Sequence, residues 1–540
     1  MKNYIWFIGA YSFLLLWLCP VWSQKKDFIE GRLLDAKTKE PVVFASIRIK
    51  ARALGVITNM DGSFRIPTKY KEYGEILEFS SMGYQTKEIP IDALEQDKLN
   101  LIVLDPGVIG LKEAIVEGKD KSRRRLGATQ IVKRAIRAIP SNYPRRLHAV
   151  IGYYRDYQLK KEEYVNLNEA ILEVVDSGFD RNDYATTKVR LYDYQSNDDF
   201  ERDREGSFKY DYNNYTKYID KAYLFNYGGN EFSILRIHDA IRNHAINSYD
   251  FVNVMDRDFI SNHSFKKEDE IRLDDEMLFK ICFAKVLVKF RIAGTIYISK
   301  KDFAIHKMEY SLYDKSRTTE NKEKDKHGIN NEIIFEVITE YNRKFDKMYL
   351  NYISFSNNFE VSQPPKFILK ETVANMNCEC FLLTFNNSVD PVYAMEKKFY
   401  NFKFKGKKIQ IERIRIDQKT VFVYPDMDRS EFLNMTYELS AAKRKRLELL
   451  DILSIEVTGL RDMGITGDGG LESNLINDKE YVTYRQFREF FVQEIKSNGS
   501  VLKDTLFMRK DIPIFKDQTI VKPDNFDDYW MNTPLQNVKY

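Results

Sequence analysis

Cysteine and histidine are scarce, with four and six copies among 540 residues, and tryptophan also numbers only four. So few cysteines in so long a chain exclude a disulfide framework of the kind that staples small secreted domains. The histidines are spread out, none three or four residues from another, which leaves little for zinc chemistry. With 24 glycines and 14 prolines the chain is neither collagen-like nor low-complexity. Charge of one sign is missing too. Against 80 acidic residues stand 84 basic ones, and a formal charge of +4 is too small a field to draw nucleic acid. Beyond the N-terminus, no apolar run approaches the roughly 18 residues of a membrane helix. What is present is a 43% hydrophobic, 30% charged chain, long enough for several domains of about 150 residues. Its 14% aromatic content tilts the expected fold towards β structure.

Met1 to Ser23 has a basic start at Lys2, an apolar stretch from Ile5 to Leu18, and Pro20, Val21 and Ser23 ahead of Gln24. That is the layout of a secretory signal, and the stretch is shorter than the roughly 20 residues that span a bilayer. Cleavage before Gln24 is expected, giving an exported protein, periplasmic or attached to the outer membrane. Leu18 before Cys19 is bulky where a lipoprotein signal wants a small residue, so lipidation is not expected. Cys282, Cys378 and Cys380 remain. They are expected as buried small hydrophobes, at least one of them a free thiol, with Cys378 and Cys380 on one face of a strand.

From Asp27 to Leu104 short strand patterns alternate with turn chemistry at the spacing of an antiparallel sandwich. Phe28–Leu34, Val43–Ile49, Val56–Thr58, Phe64–Ile66, Ile76–Ser80, Lys87–Ile91 and Leu99–Leu104 are the expected strands. Asn59, Met60, Asp61 and Gly62 read as a hairpin turn whose glycine takes positive φ. In the same stretch lie Gly31, the run from Glu40 to Ala45, Thr58-Asn59 with Asp61 to Phe64, and Phe79 to Tyr84. Through these four motifs, residues 27–105 resemble the carboxypeptidase-regulatory-like domain, a transthyretin-like sandwich. The resemblance implies a non-catalytic module. The zinc domain of the carboxypeptidases needs a His-x-x-Glu pair and a distant later histidine. Here His306 and Glu309 have that spacing in an expected strand, where positions three apart face opposite ways, and the only later histidine is His327 in a charged loop. Chance spacing is the expectation. In Bacteroidota outer-membrane receptors a similar domain precedes a segment that engages TonB. The stretch Leu111 to Gly118 is similar to such a segment, and Leu111, Ala114, Ile115 and Val116 are its candidate partner-binding residues; the alternative is a last sandwich strand. A whole receptor is excluded, since the residues after 118 are too few for a plug and a 22-stranded barrel.

Residues 106–125 read as a linker with the basic run Arg123 to Arg125. Ala128, Ile131, Val132, Ala135, Ile136 and Ile139 then repeat at helical spacing up to Pro140. Strands dominate afterwards: Ala149 to Asp156, Ala170–Val175, a meander over 279–312 with a turn at Lys300 to Asp302, and a hairpin of 332–341 with 348–355. Lys315 to Asn330 reads as a mobile charged loop. Residues 126–430 thus form a larger antiparallel β-rich domain, thinly similar to uncharacterised Bacteroidota envelope proteins. Residues 431–540 read as a mixed helical region, with helices at Leu439–Leu453 and at Tyr484–Ile495, where Phe487, Phe490, Phe491 and Ile495 share a face. The expected fold class is mainly β: the sandwich, then the β-rich domain with flanking helices.

Strings that carry chemistry are missing. There is no phosphate loop, no nucleophile elbow and no zinc helix, so no cofactor and no metal is expected. The glycines at 464, 467, 469 and 470 surround Asp468, which repels phosphate. Asp198-Asp199, Asp274-Asp275 and Asp527-Asp528 come without a pocket cue, and paired carboxylates leave no sequence signature. The expected function is a non-enzymatic binding or scaffold protein of the envelope, its partner an outer-membrane or TonB-linked protein. The alternatives are a carbohydrate-binding protein, which would stack a glycan on exposed tyrosines, or a glycan-processing accessory, and a small outer-membrane barrel.

Overall fold

A computed structural model describes residues 27–50, 52, 54–107, 126–210, 217–218, 230–246, 252–273, 276–319, 324–444, 452–464, 472–496 and 506–535. The expected signal, the segment Leu111 to Gly118, Asp274-Asp275 and the glycines at 467, 469 and 470 lie outside the described residues. The chain divides into two compact units. One joins residues 1–210, 218–359 and 483–540; the other joins 211–217 and 360–482.

Seven strands build the N-terminal sandwich: β1 (Phe28–Asp35), β2 (Ser46–Ile49), β3 (Gly55–Ile57), β4 (Ser63–Pro67), β5 (Ile76–Ser80), β6 (Lys87–Pro90) and β7 (Asn100–Leu104). One sheet runs β4-β1-β7, with β7 parallel to β1, and the other runs β3-β2-β5-β6. Along β1 buried and half-buried positions alternate, which sends Ile29 and Leu33 into a core shared with Ile47, Phe64 and Phe79. A Cβ at Gly31 would run into the Phe64 ring, so the glycine sets how closely the two strands approach. Asn59 to Gly62 does make a turn, with Gly62 at φ +76°. It is not a hairpin, however, because β3 and β4 belong to different sheets and the turn carries the chain from one to the other.

The first unit continues into one large open sheet. Its strands are β8 (His148–Lys160), β9 (Glu163–Asp176), β10 (Lys188–Ser196), β11 (Lys217–Tyr218), β12 (Ser264–Lys267), β13 (Ile271–Leu273), β14 (Glu276–Val286), β15 (Phe290–Ser299), β16 (Ile305–Thr318), β17 (Asn331–Lys344), β18 (Lys347–Ser362) and, from the far end of the chain, β26 (Tyr481–Lys496). The order along the sheet is β10-β9-β8-β26-β18-β17-β16-β15-β14-β12. The expected meander and the β17–β18 hairpin are in it. The barrel alternative is corrected: among the described residues β10 and β12 end the path without pairing with each other, and the sandwich packs on one face. Phe44 of the sandwich sits 4.9 Å from Tyr352 and 6.0 Å from Phe491, ring to ring. On the opposite face, Phe232 of the helix Glu231–Ile237 meets Tyr154 and Phe490, and His238 stacks on Phe355 at 4.2 Å.

Four expectations change here. Tyr484–Ile495 is strand, not helix: β26 lies between β8 and β18, Phe487 and Phe491 face the sandwich side and Phe490 the helical side. The helix Ala128–Asn142 runs through Pro140, whose missing N–H removes one bond in its last turn. The helix expected over 439–453 forms over Arg429–Arg444. In the stretch read as a mobile loop, β16 extends to Thr318 and Lys326 is fixed by Glu309 at 2.9 Å and Glu336 at 3.2 Å.

The second unit has its own core, including Phe381, Phe402, Val421 and Phe432. Two sheets flank it. One is ordered β19 (Leu369–Asn375), β20 (Cys380–Phe385), β24 (Thr420–Pro425) and β23 (Ile411–Asp417); the other is β22 (Lys407–Ile409), β21 (Tyr400–Phe404) and β25 (Leu453–Val457). At the β19–β20 turn Cys378 and Cys380 form a disulfide, with Glu379 between them at φ +54°, and among the described residues Cys282 is the free thiol. The expectation of unlinked buried thiols is thereby corrected, since a turn at Glu379 folds the two side chains together.

Candidate functional site

The sandwich is fastened to the large sheet by a buried polar knot. Arg155 on β8 pairs with Glu489 on β26, Nη2 to Oε2 at 2.5 Å, and donates from Nη1 to the Asn59 side chain; all three residues are fully buried. Glu489 keeps Arg155 charged despite burial. The end of the chain closes the seam. Asn532 donates to the Ile57 carbonyl at 2.8 Å and to Asn59 at 3.1 Å, while its Oδ1 accepts the Arg65 N–H at 2.8 Å. Trp530 donates to the Arg65 carbonyl at 2.9 Å, Gln493 donates to the Trp530 carbonyl at 2.8 Å, and the Thr533 hydroxyl donates to Glu169 at 2.9 Å. The turn Asn59 to Ser63, read as a family motif, is therefore the sandwich's anchor.

Beside this seam a cleft of about 690 Å³ opens between β2 and β5 of the sandwich and β14, β16 and β17 of the sheet. Two β-bulges aim its side chains. Tyr297 pairs with Lys307 but Ile298 with Ile305, so His306 is the extra residue. Glu340 pairs with Tyr352 but Tyr341 with Leu350, so Asn351 is the extra residue of β18. Asn351 links the walls: it accepts from Arg48 of β2 at 2.9 Å and donates to Glu340 of β17 at 2.9 Å. Burial raises the Glu340 carboxyl above its ordinary range and lowers Arg48. His306 is only 3% exposed; its Nε2 stands 3.3 Å from Glu276 Oε2, and neither ring nitrogen has a hydrogen-bond partner of good geometry. The His306 ring, with the Ser299 hydroxyl, holds Glu276 down to about 2 in spite of burial. At the rim are Lys300, Lys301 and Lys344, all exposed.

A second cavity of about 260 Å³ holds Glu309, Lys326 and Glu336 below Phe44. Burial pushes Glu309 up, but Lys307 and Lys326 outweigh it and hold the carboxyl at about 2. His306 and Glu309 therefore both face the sandwich, contrary to the expectation for positions three apart, because the bulge at His306 reverses the alternation. They do not share a partner: His306 meets Glu276, and Glu309 meets Lys326. Among the described residues, no three or more His, Cys, Asp or Glu side chains gather as a metal site would require. Exposed tyrosines, as expected for stacking a glycan, are present at Tyr73, Tyr184, Tyr393, Tyr437 and Tyr481, but none of them lines the cleft. Tyr143, Tyr153, Tyr154, Tyr157, Tyr310 and Tyr352 fill the core, and among the described residues no Phe, Tyr or Trp lines the cleft.

Among the described residues no helix is long and apolar enough to cross a membrane. Residues 29–116 match the family model of the CarboxypepD_reg-like domain. Over 90 residues the chain is 36% identical to the TonB-dependent receptor SusC of Bacteroides thetaiotaomicron, a match covering 17% of this chain and 8% of that protein. The chain thus spans under a tenth of that relative's length. Among solved structures, a LolA superfamily protein of Nitrosomonas europaea overlaps 43% of this chain and 86% of its own at 9% identity and a TM-score of 0.18. A DUF1329 family protein of Desulfovibrio piger overlaps 43% and 87% at 7% identity and 0.19. Superpositions this loose do not establish a common fold. Residues 29–116 thus carry a carboxypeptidase-regulatory-like domain, whose described part, 29–107, is the N-terminal sandwich, and which is similar to a segment of a Bacteroidota receptor.

Proposed function

We propose that the mature chain is an exported, non-catalytic binding protein of the bacterial envelope that holds its ligand in the cleft between sandwich and sheet. The observation that carries this reading is the construction of the cleft: two walls from distant parts of the chain, tied by Arg155, Asn59 and Asn532, bound a polar cavity of about 690 Å³. A volume of a few hundred cubic ångströms with convergent polar groups suits a small ligand, and a cleft already braced loses little entropy on binding. The likeness of residues 29–116 to part of a TonB-dependent receptor supports an envelope setting. In that setting, Leu111, Ala114, Ile115 and Val116 are offered to an outer-membrane or TonB-linked partner. Affinity purification of the mature protein from native envelopes tests this. One outer-membrane protein recovered repeatedly, and lost when residues 108–118 are deleted, is the expected result. Turnover in a substrate screen that disappears on changing one Asp or Glu contradicts the non-catalytic reading.

A further inference from the structure

We propose that the turn between β14 and β15 is a membrane-docking tip, which seats its apolar side chains in the surface of a bilayer carrying anionic phospholipids. Val286, Leu287 and Val288 are consecutive there, in a turn where the Leu287 N–H donates to the Phe290 carbonyl at 2.9 Å. Val288 is 92% exposed, more than any other large hydrophobic side chain among the described residues, and Val286 is 62% exposed. Single exposed apolar residues are ordinary. Three in a row on a turn, where glycine, asparagine or aspartate would suit the backbone, break the local rule while Val288 adds almost nothing to the core. Such a cluster marks a surface that meets another apolar phase.

The charges around the tip select the occupant. Lys289 lies in the turn, Lys285 and Arg291 flank it on β14 and β15, and Lys315 of β16 donates to the Leu287 carbonyl at 3.0 Å. Among the described residues none of these four cations has a carboxylate within ion-pair distance. Two acids are close by, and each has another partner. Asp314, opposite Phe290 in the ladder, lies 3.8 Å from Arg317, and Asp258, which also feels the charge of Lys285, pairs with Arg257 at 2.8 Å. An apolar summit above cationic shoulders repeats the order of a bilayer, whose acyl chains lie beneath its phosphates. The long lysine and arginine side chains can stay at the phosphates while the valines go deeper. Docking also leaves the cleft open: Glu276 begins β14 and lines the cleft, whereas Val286 ends the strand, about 30 Å away at roughly 3.3 Å per residue. The tip therefore stands apart from whatever the cleft binds.

The test is co-sedimentation of the mature full chain with vesicles of phosphatidylcholine and phosphatidylglycerol, and with vesicles of phosphatidylcholine alone. Binding is expected to the anionic vesicles, about tenfold or more weaker to the neutral ones, and falling as salt rises. Val288→Asp should lower it about tenfold or more and Lys289→Ala about fivefold, with circular dichroism and melting curves unchanged because both side chains are exposed. Val288→Trp should bind at least as well, and its emission should shift to the blue on binding. The background is small, since Trp530 is the only tryptophan after Ser23 and is buried. No binding to anionic vesicles, equal binding to neutral ones, binding that Val288→Asp leaves unchanged, or a Val288→Trp emission that does not move overturns the proposal. Self-association abolished by Val288→Asp, without vesicle binding, assigns the tip to a second copy of the chain and overturns it too.

Discussion

Arg155 and Asn59 share a hydrogen bond across a seam that no solvent reaches, although 96 residues separate them and one belongs to the large sheet, the other to the sandwich. With Glu489 supplying the counter-charge, the pair makes the sandwich part of the sheet's own core. The cleft exists because of that fusion.

Removing one partner of the buried pair leaves the other uncompensated, at a cost of about 3–5 kcal/mol. Arg155→Met and Glu489→Gln are each expected to lower the unfolding free energy of the first unit, read from urea titrations, by that order. Arg155→Met combined with Glu489→Leu should recover part of the loss, since both charges then leave together. A double variant as weak as the sum of the singles contradicts the coupling.

Asn532 uses both ends of its amide inside the seam. Asn532→Ala strands the Arg65 N–H and the Ile57 carbonyl, and each unsatisfied buried group costs about 1–3 kcal/mol. Differential scanning calorimetry should show the first unit melting several degrees lower while the second unit is unmoved. An unchanged transition means that the final segment does not hold the sandwich.

Much of this was legible in sequence, and the failures have physical causes. The sandwich strands stood out because one face is wet and alternation survives, as along β1. In β26 both faces are covered, so Gln486, Arg488 and Glu489 are buried beside the phenylalanines and the period-two signal disappears. Phe487, Phe490, Phe491 and Ile495 then fit a helical spacing equally well. The cleft was invisible for another reason: His306 and Asn351 are aimed by bulges, and a bulge leaves no mark in residue type. The pairing of Arg155 with Glu489 spans 334 positions and has no local trace.

Stability should depend on pH through two opposed sets of carboxyls. Burial, with Asp156 beside it, raises Glu231 to about 7, and burial raises Asp239 to about 6, against about 4 in the unfolded chain. Over that interval the folded state keeps protons that the unfolded state has lost, so this contribution is complete below about pH 4 and is lost as pH rises towards 7. Glu276 and Glu309, held at about 2, behave oppositely: their contribution is complete above about pH 4.5 and is lost as pH falls towards 2. Urea midpoints at pH 5 and pH 8 test the first set, because Glu231→Gln should shrink the drop between them. A drop unchanged by that substitution removes Glu231 from the account.

The disulfide of Cys378 and Cys380 leaves Cys282 as the free thiol among the described residues. Alkylation of the denatured, unreduced mature protein should therefore add one label, and reduction should raise the count to three. Replacing both Cys378 and Cys380 by Ser should cost the second unit about 1–2 kcal/mol, the loop being short. Three labels without reduction contradict the pairing.

Hydrogen exchange of the mature chain in sub-denaturing urea tests most directly whether sandwich and sheet are one body. The account predicts that peptides from residues 27–107 open together with those from β8 and β26, at one free energy, and that Arg155→Met lowers all of them alike. Sandwich peptides that exchange at a separate, lower free energy, unaffected by Arg155→Met, would contradict it.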